Sequence, residues 1–141
     1  MNREELKAIL PHREPMLLLD ESSQAGDTTY SKYTVRGDEY FLQGHFPGKP
    51  IVPGVILCEI MAQASSLLMS DLMSRSIPLY AGIDQVRFKR VVVPGDTVEV
   101  KAHLTDRRGN IFFVDAEAIV GGQMCCRGKL TFMLVEKEPS E

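Results

Sequence analysis

Two side chains near the middle of the chain are of the types that proton-transfer chemistry uses. His45 stands in Gly44-His45-Phe46-Pro47-Gly48-Lys49-Pro50, where two glycines and two prolines constrain the backbone around one imidazole. Imidazole titrates nearest neutrality, which suits a general base. Glu59 is the only charged residue between Gly54 and Ser70. A carboxyl enclosed by apolar neighbours is driven above its usual pKa of about 4. If it stays protonated near neutral pH, it can deliver a proton to a leaving group. Gly54 is the third element of the set. It follows Pro53 at the start of a helical pattern, where backbone N–H groups lack intrahelical partners and the helix dipole is positive. Lacking a side chain, Gly54 admits another group close to the backbone. That arrangement suits a carbonyl oxygen gaining negative charge during reaction. Each residue also has a plainer reading: a structural histidine, a narrow solvent-facing stripe, an ordinary helix start.

The helix that must carry Glu59 is expected over about 53–74. Pro53 fits a first turn, where its missing N–H costs nothing. Val55, Ile56, Leu57, Ile60, Met61, Leu67 and Leu68 make it apolar almost all round, so the rest of the protein must enclose it. Glu59, Gln63, Ser66 and Ser70 fall on one stripe, read either as a solvent face or as the wall of a partly polar pocket.

The surrounding elements read as β-structure. Val98, Val100, Ala102 and Leu104 alternate, as do Phe112, Val114, Ala116, Ala118 and Val120. Met124, Cys126, Leu130, Phe132 and Leu134 follow, with a gap at Gly128. Arg108-Gly109-Asn110, Gly121-Gly122-Gln123 and Pro94-Gly95-Asp96 predict turns. Thr28–Val35 is a weak strand, Leu79–Val93 a less clean one, and Arg3–Leu10 a short helix stopped by Pro11. The sum is an α+β architecture: an antiparallel meander with one long helix on its concave face.

Composition sets outer bounds. The chain has 141 residues, 44% apolar and 25% charged, which fits one domain with a real core and a polar tail at about 136–141. A net charge of −3 argues against nucleic acid. The apolar stretch Ile51–Met69 holds Glu59, Gln63, Ser65 and Ser66, which a membrane span tolerates poorly. With no apolar segment after the polar Met1–Lys7, a cytoplasmic protein is expected. Cys58, Cys125 and Cys126 do not suggest a disulfide framework, and Cys58 reads as packing. His12, in Pro11-His12-Arg13, reads as a structural anchor, and His103 as a strand residue. The three histidines and three cysteines match no zinc spacing.

Taken together, three blocks resemble one family. They are Leu10-Pro11-His12-Arg13 with Pro15 and Leu17-Leu18-Leu19-Asp20; Gly44 through Val55 with Glu59 and Met61-Ala62-Gln63; and Ala81-Gly82-Ile83-Asp84 with Arg87-Phe88 and Val93-Pro94-Gly95-Asp96. The chain is similar to (3R)-hydroxyacyl-[acyl-carrier-protein] dehydratases of the FabZ type, which have the hotdog fold, from about Leu10 to Leu134. The resemblance implies that His45 takes the C2 proton and Glu59 protonates the leaving C3 hydroxyl. It also implies that Gly54, with Val55, polarises the thioester carbonyl, and that Phe46 and Gln63 line the substrate. No metal or organic cofactor is implied. The implied partners are an acidic acyl carrier protein, contacted through Arg87, Lys89 and Arg90, and further copies of the chain. His45 and Glu59 would meet across a homodimer, with three dimers commonly assembling. Glu59, where a related isomerising dehydratase usually has aspartate, favours dehydration alone. Glu14, Met16, Val52, Cys58 and the Met124–Arg127 stretch depart from the family pattern. A hotdog thioesterase and a non-catalytic acyl-binding module remain as alternatives.

Overall fold

The chain begins with a capped turn of helix. In the computed structural model, which describes residues 1–137, the Asn2 side chain accepts from the Glu5 N–H and the Glu5 carboxylate returns to the Asn2 N–H. This capping box starts α1, Arg3–Leu6, which is shorter than the helix expected to Leu10. The apolar run Leu17–Leu19 follows as buried irregular chain. Strands β1 (Glu21–Ala25) and β2 (Thr28–Thr34) then pair as a hairpin. β1 is polar and lies at a sheet edge, so it lacks the apolar alternation that betrays a half-buried strand.

Helix α2 runs from Gly54 to Ser66 and then tightens into a 3-10 segment, Leu67–Leu72, with a kink at Met69. The expected span of about 53–74 is therefore one rod of two geometries. The cause is local. Ser65 Oγ donates to the Met61 carbonyl at 2.7 Å and Ser66 Oγ to the Ala62 carbonyl at 3.0 Å. Such back-bonding competes with the helical ladder and bends helices. The rod from Gly54 to Leu72 is long and apolar enough to cross a membrane by composition, yet 67% of it is buried inside this fold. It is a core helix.

Four long strands complete the sheet: β3 (Ser76–Phe88), β4 (Thr97–Arg108), β5 (Ile111–Val120) and β6 (Gln123–Glu136). β4, β5 and β6 form the expected meander through two-residue turns. At Gly121-Gly122 both φ values are positive, +58° and +76°, the backbone that a tight right-twisted hairpin requires. The full order β1-β2-β4-β5-β6-β3 is not a simple meander. α2 carries the chain across the concave face, so β3 joins the far edge beside β6. β3 also bulges, with register shifts at Tyr80/Gly82 and Asp84/Arg87 and a positive φ at Gln85. These shifts explain its blurred alternation. Gly128, the gap in the β6 pattern, lies under the second bulge; a Cβ there would sit 2.7 Å from Val86 Cγ2.

The inward faces of β4, β5 and β6 present Val98, Val100, Ala102, Phe112, Val114, Leu130 and Phe132 to Ile60, Met61 and Ala64 of α2 and Leu67 of the 3-10 segment. Each large side chain buried here contributes roughly 1.5–3 kcal/mol. The result is a sheet wrapped around a central helix, the hotdog arrangement. Of the expected polar tail, Glu136 instead closes β6 and the Lys137 N–H donates to the Arg75 carbonyl; 138–141 lie outside the described residues.

Candidate active site

Glu59 faces the N-terminal loop, and that loop is firmly tied. The Arg3 guanidinium donates to the carbonyls of Leu17 at 2.7 Å and Leu19 at 2.9 Å. It also pairs with Glu14 and Asp20. Arg13 donates to the carbonyls of Lys7, Leu10 and His12. Glu14, a departure from the family pattern, thus belongs to an ion network with Arg3 and Lys7. Its own backbone N–H, then Arg3 and Lys7, hold its carboxyl down at about 2. Met16 accepts at its sulfur from the Tyr40 hydroxyl.

From α2, Gln63 reaches into this loop. Its amide oxygen accepts from the Leu18 N–H at 2.8 Å. Its two amide hydrogens go to the Met16 carbonyl at 2.7 Å and to Glu59 Oε2 at 2.9 Å. Gln63 is fully buried. His12 also comes to the acid: its Nε2 lies 3.4 Å from Glu59 Oε2. The sequence reading of His12 as a structural anchor did not include this contact. No sequence spacing reveals it, because the two residues are distant along the chain. The side chain of Glu59 keeps 21% of its surface open. Of the helix stripe, Gln63 and Ser66 are buried, so the solvent-face reading fails there.

Tyr80 and Cys58 complete the surroundings of Glu59. The Tyr80 hydroxyl donates to the Cys58 carbonyl at 3.1 Å, and burial of that end, then the Glu59 charge, pushes its pKa up. The neighbouring Cys126 thiol lowers Cys58 to about 7, while Cys126 itself is pushed up. All three cysteines are free and buried.

His45 sits in a tight loop that precedes α2 in the chain. Phe46 and Lys49 exchange backbone hydrogen bonds, and the Ile51 N–H donates to the His45 carbonyl at 2.8 Å. The His45 ring stacks on Phe46, which is itself half exposed. His45 Nδ1 lies 2.9 Å from the Ile51 carbonyl. A carbonyl only accepts, so Nδ1 carries the hydrogen and, in the neutral imidazole, Nε2 is the nitrogen with the lone pair.

Gly54 and Val55 begin α2, and among the described residues their N–H groups have no acceptor in the chain. The close approach that Gly54 permits is made by Phe88: a Cβ on Gly54 would lie 2.8 Å from Phe88 Cε1. Sequence reasoning placed Phe88 in a motif without giving it a role. Val55 is 74% exposed.

No hydrogen bond or ion pair joins His45 to Glu59 within the chain, among the described residues. Arg87, Lys89 and Arg90 are exposed and form no ion pair among the described residues. His103 lies on the outer face, hydrogen-bonded with Thr28. Arg107 and Arg108 occupy the β4–β5 hairpin tip, over Phe112 and Phe113.

Comparison with known proteins identifies the family. A family model for the FabA-like domain matches residues 10–129. A 3-hydroxyacyl-[acyl-carrier-protein] dehydratase FabZ of Clostridium perfringens (strain SM101) is 42% identical, over 95% of this chain and 99% of that protein. The protein of the same name from Clostridioides difficile (strain 630) is 40% identical, over 97% and 99%. Among solved structures, the dehydratase heterocomplex ApeI:P from Xenorhabdus doucetiae superposes with a TM-score of 0.80 over 96% of this chain and 93% of that one, at 20% identity. A thioesterase of Pseudomonas aeruginosa superposes with a TM-score of 0.71 over 97% and 96%, at 15% identity, a likeness of fold alone. By the family model over residues 10–129 and the nearly full-length relatives at 40–42% identity, the chain belongs to the FabA-like family, among the FabZ-type dehydratases.

Proposed function

We propose that the chain dehydrates (3R)-3-hydroxyacyl-[acyl-carrier protein] to the trans-2-enoyl thioester in fatty acid biosynthesis. The observation that carries the mechanism is the His45 tautomer. With Nδ1 committed to the Ile51 carbonyl, Nε2 is the free base that takes the C2 proton. The C2–H electrons form the C2=C3 double bond and the C3–O bond breaks. Glu59 supplies the proton that lets the hydroxyl leave as water. The free N–H groups of Gly54 and Val55 hold the thioester oxygen as its charge grows. Each positioned proton-transfer group is worth roughly 10²–10⁴-fold in rate. Phe46 and Phe88 are apolar walls for the acyl chain. Gln63 acts through Glu59 and the loop, because its amide hydrogens are already used.

The site is completed by a second copy. β3 is an edge strand, and it exposes Leu79, Tyr80, Ile83 and Phe88. Such an apolar edge favours pairing with another chain. A homodimer through β3 would bring one protomer's His45 to the other's Glu59, and three dimers would assemble further. Unpaired Arg87, Lys89 and Arg90 beside Phe88 offer a basic contact for the acidic carrier. The enzyme would work in the cytoplasm.

The test is spectroscopic. Incubation with a crotonyl or 3-hydroxyacyl thioester should change the conjugated enoyl absorbance without releasing thiol. Thiol release with no enoyl interconversion would instead mark a thioesterase. Neither signal, with the thioester still bound, would mark a binding module. Glu59→Gln and His45→Ala should each abolish turnover, and mixing the two inactive variants should restore part of it.

A further inference from the structure

Two nitrogen donors surround Glu59, and both meet the same oxygen. Gln63 Nε2 donates to Oε2 at 2.9 Å, and His12 Nε2 lies 3.4 Å from that same atom. The other ring nitrogen of His12, Nδ1, is buried and has no partner among the described residues. A hydrogen on Nδ1 would be a buried unpaired donor, which costs more than a bare lone pair. The tautomer that fits therefore carries its hydrogen on Nε2, toward Glu59. The loop cannot easily drift from this arrangement. Arg13 ties the His12 carbonyl to those of Leu10 and Lys7, and Arg3 ties Leu17 and Leu19.

The geometry points to His12 as a positioning residue for Glu59, which with Gln63 occupies Oε2 and leaves Oε1 as the oxygen that carries the transferred proton. This rests on the reading of Glu59 as the acid. The chemistry follows from the two oxygens of a carboxylic acid. The carbonyl-like oxygen accepts hydrogen bonds, and the hydroxyl oxygen donates one. Two N–H groups at Oε2 favour the form with its proton on Oε1 and fix the direction in which that proton points. A neutral ring does this without placing a full positive charge beside the carboxyl, which would hold it ionised. Without His12, one donor remains and the carboxyl plane is less constrained.

Four measurements test the assignment. In the unaltered protein, the ¹⁵N shifts of the His12 ring should show hydrogen on Nε2 and a bare Nδ1; hydrogen on Nδ1 overturns it. His12→Phe keeps the ring's volume and removes the donor. It should lower kcat about 10- to 100-fold while KM stays within about threefold. His12→Gln restores an N–H at similar reach and should recover most of the lost kcat. An equal loss in both variants means packing and overturns the assignment, as does a wild-type rate in His12→Phe. Should His12→Phe fail to fold by circular dichroism, the ring shifts of the unaltered protein decide. Glu59→Gln, assayed in parallel, separates the two claims. If it retains turnover, the acid reading itself falls. If it is inactive while His12→Phe is unimpaired, only the role of His12 is refuted.

Discussion

Gln63 and Glu59 are joined one helical turn apart, with the amide Nε2 2.9 Å from the carboxylate Oε2, and the same amide holds the N-terminal loop at Met16 and Leu18. One buried side chain thus holds both the Glu59 carboxylate and the N-terminal loop. Gln63→Leu would leave the Leu18 N–H and the Met16 carbonyl without these partners. Each buried group stranded in this way costs about 1–3 kcal/mol. The variant should lose about 2–4 kcal/mol of stability in urea unfolding, and its kcat should fall by more than its KM rises.

Gly54→Ala would place a methyl 2.8 Å from Phe88 Cε1, so the ring must move. Overpacking of this kind costs about 1–3 kcal/mol. Activity should fall as well, since the free N–H groups lie at the same helix start. Phe88→Leu in the Gly54→Ala background should recover part of the stability, whereas Phe88→Leu alone should not stabilise. Thermal melts of the three variants check this.

The Glu14 network gives a pH signature. Its carboxyl is held at about 2, below the ordinary value of 4.5, so the folded state favours the ionised form. A depressed acid contributes stability above its unfolded pKa and loses it as pH falls through the folded one. Glu14→Gln should therefore be less stable than the parent at pH 7. The difference should shrink between about 4.5 and 2 and vanish below. Urea midpoints of both proteins across that window are the measurement.

Ile83 lies on the open edge strand β3 and is 48% exposed. A lysine there would put charge on the proposed dimer seam without touching the core. Ile83→Lys should elute as a smaller species than the parent, keep its far-UV circular dichroism, and lose turnover. A folded, monomeric and fully active variant would refute a site shared between protomers.

Much of this protein was legible as local pattern. The turns at Gly109-Asn110 and Gly121-Gly122 follow from residues that tolerate positive φ, and the strands they join follow from strict alternation. His45 stood out because its loop is stiff, and Glu59 because a carboxylate in an apolar helix is anomalous. These signals need only a residue and its near neighbours. Tertiary structure decided the rest, because it concerns residues that meet only after the chain has crossed itself. The seat of Phe88 on Gly54 and the docking of β3 beside β6 are of this kind. So is the contact of His12 with Glu59. The sequence alone singled out His45 and Glu59 by residue type and surroundings. The fold decided that the free nitrogen of His45 is Nε2 and that the N-terminal loop grips one oxygen of Glu59, because a hydrogen bond is set by distance and direction rather than by order along the chain.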